Sequence, residues 1–103
     1  MELQEVKKLA EALSQEFGQD DDPYKALASL VEEVGEVAAE VNKTLKSGAK
    51  ARQGKEADAA ALQEELGDVL LSLFYLSNTL GIDLEVEMRA KYIRLQKRFN
   101  LDL

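Results

Sequence analysis

QEELGDVLLSLFYLSNTL, at Gln63–Leu80, decides the fold. At about 100° per residue, Leu62, Leu66, Val69, Leu70, Leu73, Phe74, Leu76 and Leu80 fill an arc roughly 160° wide. Glu65, Asp68, Ser72, Tyr75 and Thr79 fall within about 80° of one another on the other side. No β-branched alternating run competes with this helical reading. A helix apolar over so wide an arc is a core helix, and its polar stripe begins in carboxylates. An aspartate leading straight into VLLSLFYL is not simply a solvated surface residue.

Outward from this segment, the remaining chain also reads as helix. Leu3, Val6, Leu9, Ala10, Leu13 and Phe17 predict a helix over residues 2–17. GQDDDP breaks it, with Gly18 as a C-terminal cap and Pro23 restarting the chain behind an aspartate. A second helix is expected from Tyr24 to Lys46, with Leu27, Leu30, Val31, Val34, Val37, Ala38, Val41 and Leu45 as its buried face. A basic loop, KSGAKARQGK at 46–55, leads to the third helix, Asp58 to Leu80. Gly81 then ends the third helix and Asp83 caps a fourth that runs to Phe99, with Leu84, Met88, Tyr92, Leu95 and Phe99 spaced for burial. The expectation for residues 1–103 is a single all-α domain, a four-helix bundle-like fold with short connections.

VEEVGEV at Val31–Val37 nearly repeats QEELGDV at Gln63–Val69. On the second helix Glu33, Glu36 and Glu40 lie within about 60° of one another, beside the apolar face. Between Ala26 and Asn42 there are four glutamates and no lysine or arginine. Glu32/Glu36 and Glu36/Glu40 are like-charge i,i+4 pairs, each costing about 0.2–0.5 kcal/mol. No lysine or arginine stands between Glu56 and Met88 either. A helix that is merely soluble is usually laced with both signs. Unneutralised carboxylates on two helices call for an external cation, and an all-oxygen set selects a hard ion, Mg²⁺ or Mn²⁺, before zinc. The glycines inside the two phrases, Gly35 and Gly67, cost about 1 kcal/mol each relative to alanine. Close approach of the two helices beside the acids is the expected return.

Composition closes other routes. The chain has no cysteine and no histidine. Disulfides, thiolate nucleophiles, serine–histidine activation and the Glu-x-x-His di-iron pattern are therefore excluded. A net charge of −7 argues against a nucleic-acid polymer as partner. The start, MELQEVKKLAEAL, lacks the apolar core of a signal peptide, and Val69–Leu76 is too short to cross a bilayer. The expectation is a cytoplasmic protein with no membrane partner. Basic residues gather after the second helix and on the fourth. Lys91 and Arg94, at i,i+3, are the first candidates to reach a phosphate, with Lys43 beside them. The first and third helices carry more apolar surface than a chain this short easily hides, which predicts a homodimer or homotetramer.

Glu32-Glu33-x-x-Glu36, followed after a spacer by Glu65-x-x-Asp68, resembles the EExxE…ExxD signature of the MazG-like, all-α nucleoside triphosphate pyrophosphohydrolases. PYKALASLVEEVGEVAAEV and EELGDVLLSLFYLSNTLGIDLE extend the likeness over most of the chain. The resemblance implies Mg²⁺-dependent hydrolysis of a (d)NTP between its α and β phosphates, giving NMP and pyrophosphate, as nucleotide-pool house-cleaning. It implies Glu33, Glu36, Glu65 and Asp68 as metal ligands, with Glu32 in an outer shell. Either Glu33 or Glu36 would accept the proton of the attacking water. Lys91 stands where related proteins often carry a lysine. Ser72 stands where many relatives have an aromatic residue, and Leu95 where many have asparagine. Tyr24, Tyr75 and Ser72 are the base-contact candidates, whereas Phe17 reads as core. A phosphoribosyl-ATP pyrophosphohydrolase and a non-catalytic helical interaction module are the alternatives.

Overall fold

Asp22 shows how local chemistry places the elements. Its backbone is extended and its carboxylate accepts the Tyr24 N–H at 2.9 Å, so Pro23, which has no N–H to lose, opens a helix behind it. Asp58 accepts from the Ala60 and Ala61 N–H groups, and Asp83 from Glu85 and Val86, in the same manner. The computed structural model describes residues 1–45 and 58–103. Four helices result: α1 Leu3–Glu16, α2 Pro23–Thr44, α3 Ala59–Thr79 and α4 Leu84–Phe99. Among the described residues there is no strand. The expected helix ends shift by a residue or two, because the cap residues Asp58, Leu45 and Leu80 stand outside the helices they end. The basic segment at 46–55 lies outside the described residues.

The central helix is α3, which packs against both α2 and α1. Its wide apolar arc is not all core: Phe74 is buried, whereas Leu66, Leu70, Leu73 and Leu80 are exposed because α1 and α2 cover only part of the arc. Phe74 of α3 is buried against Val6 and Ala10 of α1, with Leu3, Leu71 and Leu84 around them. Gly81, at φ +67°, ends α3 in the left-handed region where a side chain is strained. The Ile82 N–H then reaches back to the Ser77 carbonyl at 2.9 Å, and α4 leaves α3 at 107°. Gln4 of α1 donates to Asp83 at this corner, at 3.3 Å. No single helix among the described residues is long and apolar enough to cross a membrane.

Two expectations are corrected here. The apolar face of α2 is only partly buried by its own chain: Leu30 and Val37 are half-buried, but Val31 is 63% and Leu45 69% exposed, and Leu27, Val34, Ala38 and Val41 are exposed with them. Met88, Tyr92, Leu95 and Phe99 of α4 are exposed as well. Periodicity identifies the face that seeks burial without saying which surface covers it. The second correction concerns the glycines. Among the described residues a Cβ at Gly35 or at Gly67 would meet nothing within 4 Å, so neither marks a close approach of α2 and α3 there.

Candidate active site

Ser29, Glu33 and Glu36 succeed one another down α2, and Ser72, Asp68 and Glu65 succeed one another up α3. Glu36 meets Glu65, and Glu33 lies against both Glu65 and Asp68, the register of an antiparallel pair. Spacings of three and four residues keep each set on one helical stripe, and the packing of α2 on α3 turns the stripes toward each other. Carboxylate oxygens of Glu33, Glu36 and Glu65 come within 4.8 Å of one another. Asp68 joins Glu33 in the wall of the adjoining cavity.

This juxtaposition is electrostatically unfavourable for the protein alone. One oxygen each of Glu33 and Glu65 is buried without a hydrogen-bond partner among the described residues. Burial, then the charges of Glu36 and Asp68, hold the Glu33 carboxyl above its ordinary range. Contact with the Glu36 side chain, then burial, then the charges of Glu36 and Glu33 push Glu65 up to about 7. Two carboxylates cannot hydrogen-bond each other without a shared proton, so the cluster needs either protons or a cation. Orphaned oxygens converging from two helices, with no nitrogen or sulfur ligand, fit a hard divalent ion.

Other expected residues lie at varying distances from this cluster. Glu32 is exposed and outside the three-carboxylate group. Lys43 is engaged by Glu40 at 2.6 Å in a pair whose side chains are both largely buried, and the second oxygen of Glu40 has no partner among the described residues. This pair ends the acidic stripe of α2 with a positive charge. Lys91 and Arg94 sit on α4 and do not line the carboxylate cavity.

The cavity, of about 300 Å³, opens where α1, α2 and α3 meet. Glu33 and Asp68 form its acidic end, and Ser72 and Tyr75 line it as expected of base-contact candidates. Tyr24 does not: it is 84% exposed and is not part of the cavity wall. Phe17, read as core, is 70% exposed and lines the cavity, because it is the C-cap of α1 and stands just past the helix's last turn. The Tyr75 hydroxyl donates to the Asp20 carbonyl at 2.8 Å, and burial, then the charges of Asp20, Asp21 and Asp22, raise its pKa and keep it a donor. Ser14, Gln19 and Ser29 are cavity residues that the sequence reading missed. Ser29 was findable, since it precedes Glu33 by one turn on the same stripe. Ser14 and Gln19 carried no such signal.

With paired ExxE and ExxD arms and an adjoining cavity in place, the class is defined: the chain belongs to the MazG nucleotide pyrophosphohydrolase domain family, which it matches over residues 19–99. It is also 40% identical over 78 residues to the uncharacterized protein YpjD of Bacillus subtilis (strain 168). That match takes in 76% of this chain and 64% of the relative, so the chain spans just under two thirds of the relative's length.

Proposed function

We propose that this protein hydrolyses a nucleoside or deoxynucleoside triphosphate between its α and β phosphates, releasing NMP and pyrophosphate, with Mg²⁺ as the working ion and Mn²⁺ as a substitute. The observation that carries the reading is the set of unpartnered carboxylate oxygens converging from α2 and α3 beside a cavity. Glu33, Glu36, Glu65 and Asp68 would hold the ion. When bound, it supplies charge neutralisation for a polyanionic substrate that four carboxylates would otherwise repel, and it polarises the attacking water. Glu33 or Glu36 takes the proton from that water. At Glu33, burial and then the charges of Glu36 and Asp68 raise the carboxyl's hold on such a proton. The cavity beyond Glu33 and Asp68 takes the nucleoside.

Lys43, Lys91 and Arg94 are the proposed phosphate contacts, although Glu40 already holds Lys43 and neither Lys91 nor Arg94 lines the cavity of its own chain; Glu32 takes an outer position. The active form is a homodimer or homotetramer. Support comes from Leu27, Val31, Val34, Ala38, Val41 and Leu45, which repeat at alternating four- and three-residue steps along exposed α2, the spacing of a helix–helix seam. Removal of unwanted or surplus nucleotides is the role this activity would serve.

The test is a nucleotide panel with Mg²⁺, phosphoribosyl-ATP included, scoring pyrophosphate against orthophosphate. Release of pyrophosphate and NMP from a common triphosphate is the expected result. Turnover of phosphoribosyl-ATP alone, or of nothing, would reject it.

A further inference from the structure

The segment between α1 and α2 is held far more firmly than a solvent loop of its composition requires. Gly18 takes φ +60°, and the Gln19 N–H donates back to the Ser14 carbonyl at 2.8 Å, which closes α1 in a Schellman turn. Tyr75 of α3 then clamps the next residue through the Asp20 carbonyl. These two ties fix Gln19 at the rim of the cavity whose far end holds Glu33 and Asp68. The side chain has a partner as well: the Ser14 hydroxyl donates to the Gln19 Oε1 at 3.1 Å in an exposed hydrogen bond. With its carbonyl so engaged, the amide turns its NH₂ outward as a hydrogen-bond donor. Phe17, on the same rim, offers an aromatic face for a stacked ring.

We infer that Gln19, oriented by Ser14, is a specificity-determining residue that donates to a carbonyl on the base edge and so favours oxo bases over their amino counterparts. The inference rests on the nucleotide reading of the adjoining carboxylates. Tyr75 is a positioning residue in this account: its hydroxyl holds the Gln19 turn and is not itself available to the base. A site built around a fixed donor rejects a ligand that presents another donor, because the two N–H groups face each other unpaired.

Two matched pairs isolate that edge. ITP and ATP differ at one ring position, oxo against amino, and so do UTP and CTP. Specificity constants kcat/KM with Mg²⁺, and affinities of the corresponding α,β-imido analogues by calorimetry, should favour the oxo member of at least one pair by roughly tenfold. Gln19→Ala should bring that ratio close to one. Gln19→Glu, an acceptor in place of a donor, should turn it toward the amino member. Tyr75→Phe keeps the ring, loses the clamp and should lower the ratio partway. Gln19 is exposed, so its variants should melt with the wild type. An oxo/amino ratio near one in the wild type, or a ratio unchanged in Gln19→Ala, overturns the inference and leaves the hydrolase reading standing. Analogue binding with the expected ratio but no hydrolysis overturns the hydrolase reading alone.

Discussion

The two sides of α2 are finished differently. One carries Ser29, Glu33 and Glu36 to the cavity and the acid cluster shared with α3, with Glu40 paired to Lys43 a turn further on. The other, roughly 140° around the helix, carries Leu27, Val31, Val34, Ala38, Val41 and Leu45, all exposed. The charged side is brought together although its groups repel; the apolar side is left open although burial would stabilise it. The difference teaches that the chain alone is unfinished on both sides, and in two chemistries. The acids call for a cation, and the stripe for another apolar surface.

The largest effect should come from breaking the charged side. Glu36→Gln or Asp68→Asn should cut pyrophosphate release at least about 100-fold, with the helical circular dichroism unchanged; full activity in either variant would remove that residue from the ligand set. Val31→Glu, in the middle of the apolar stripe, should shift the protein to a monomer in light scattering at micromolar concentration. A wild type that is already monomeric there would show that the stripe has no partner.

A third prediction uses the strain in the cluster. Glu65 is held at about 7 against an ordinary value of 4.5, and Glu33 is raised too. Between those values the folded chain binds more protons than the unfolded one. The stability this contributes is fully present below about 4.5 and is lost as pH rises toward about 7. The melting temperature of chelator-treated protein should therefore fall across that window, and Mg²⁺ at neutral pH should restore it. Glu65→Gln should flatten the pH dependence and blunt the Mg²⁺ response. A wild-type melting curve indifferent to Mg²⁺ would contradict the cation account and favour an interaction module.

The smallest effect sharpens the comparison most finely. Among the described residues, open space lies where a Cβ at Gly35 or Gly67 would stand. Alanine at either position, in a helix with ordinary φ, should raise stability by about 0.4–1 kcal/mol if that surface stays free. Loss of stability together with loss of the oligomer would place the glycine where a second copy packs.

Much of this was legible in the residues. Asp22, Asp58 and Asp83 announced helix starts, and Gly18 and Gly81 helix ends, because capping is a local matter settled within one turn. The meeting of Glu33 and Glu36 with Glu65 was legible because each arm is one stripe of one helix and the two arms match. Phe17 was misread because α1's periodicity gives its face and not what stands beyond its last turn. The α2 stripe was assigned to the chain's own core because periodicity cannot distinguish one apolar neighbour from another. Ser14 and Gln19 reach the site only through the packing of α1 on α3, a long-range event that no spacing records.

The central claim is that α2 and α3 each supply one arm to the same divalent ion, and Mn²⁺ binding followed by electron paramagnetic resonance tests it most directly. Saturable binding is predicted for the wild type, competed by Mg²⁺, and it should be lost in both Glu36→Gln on α2 and Glu65→Gln on α3. Retention of wild-type affinity in either variant would mean that one helix holds the ion without the other, and would contradict the account.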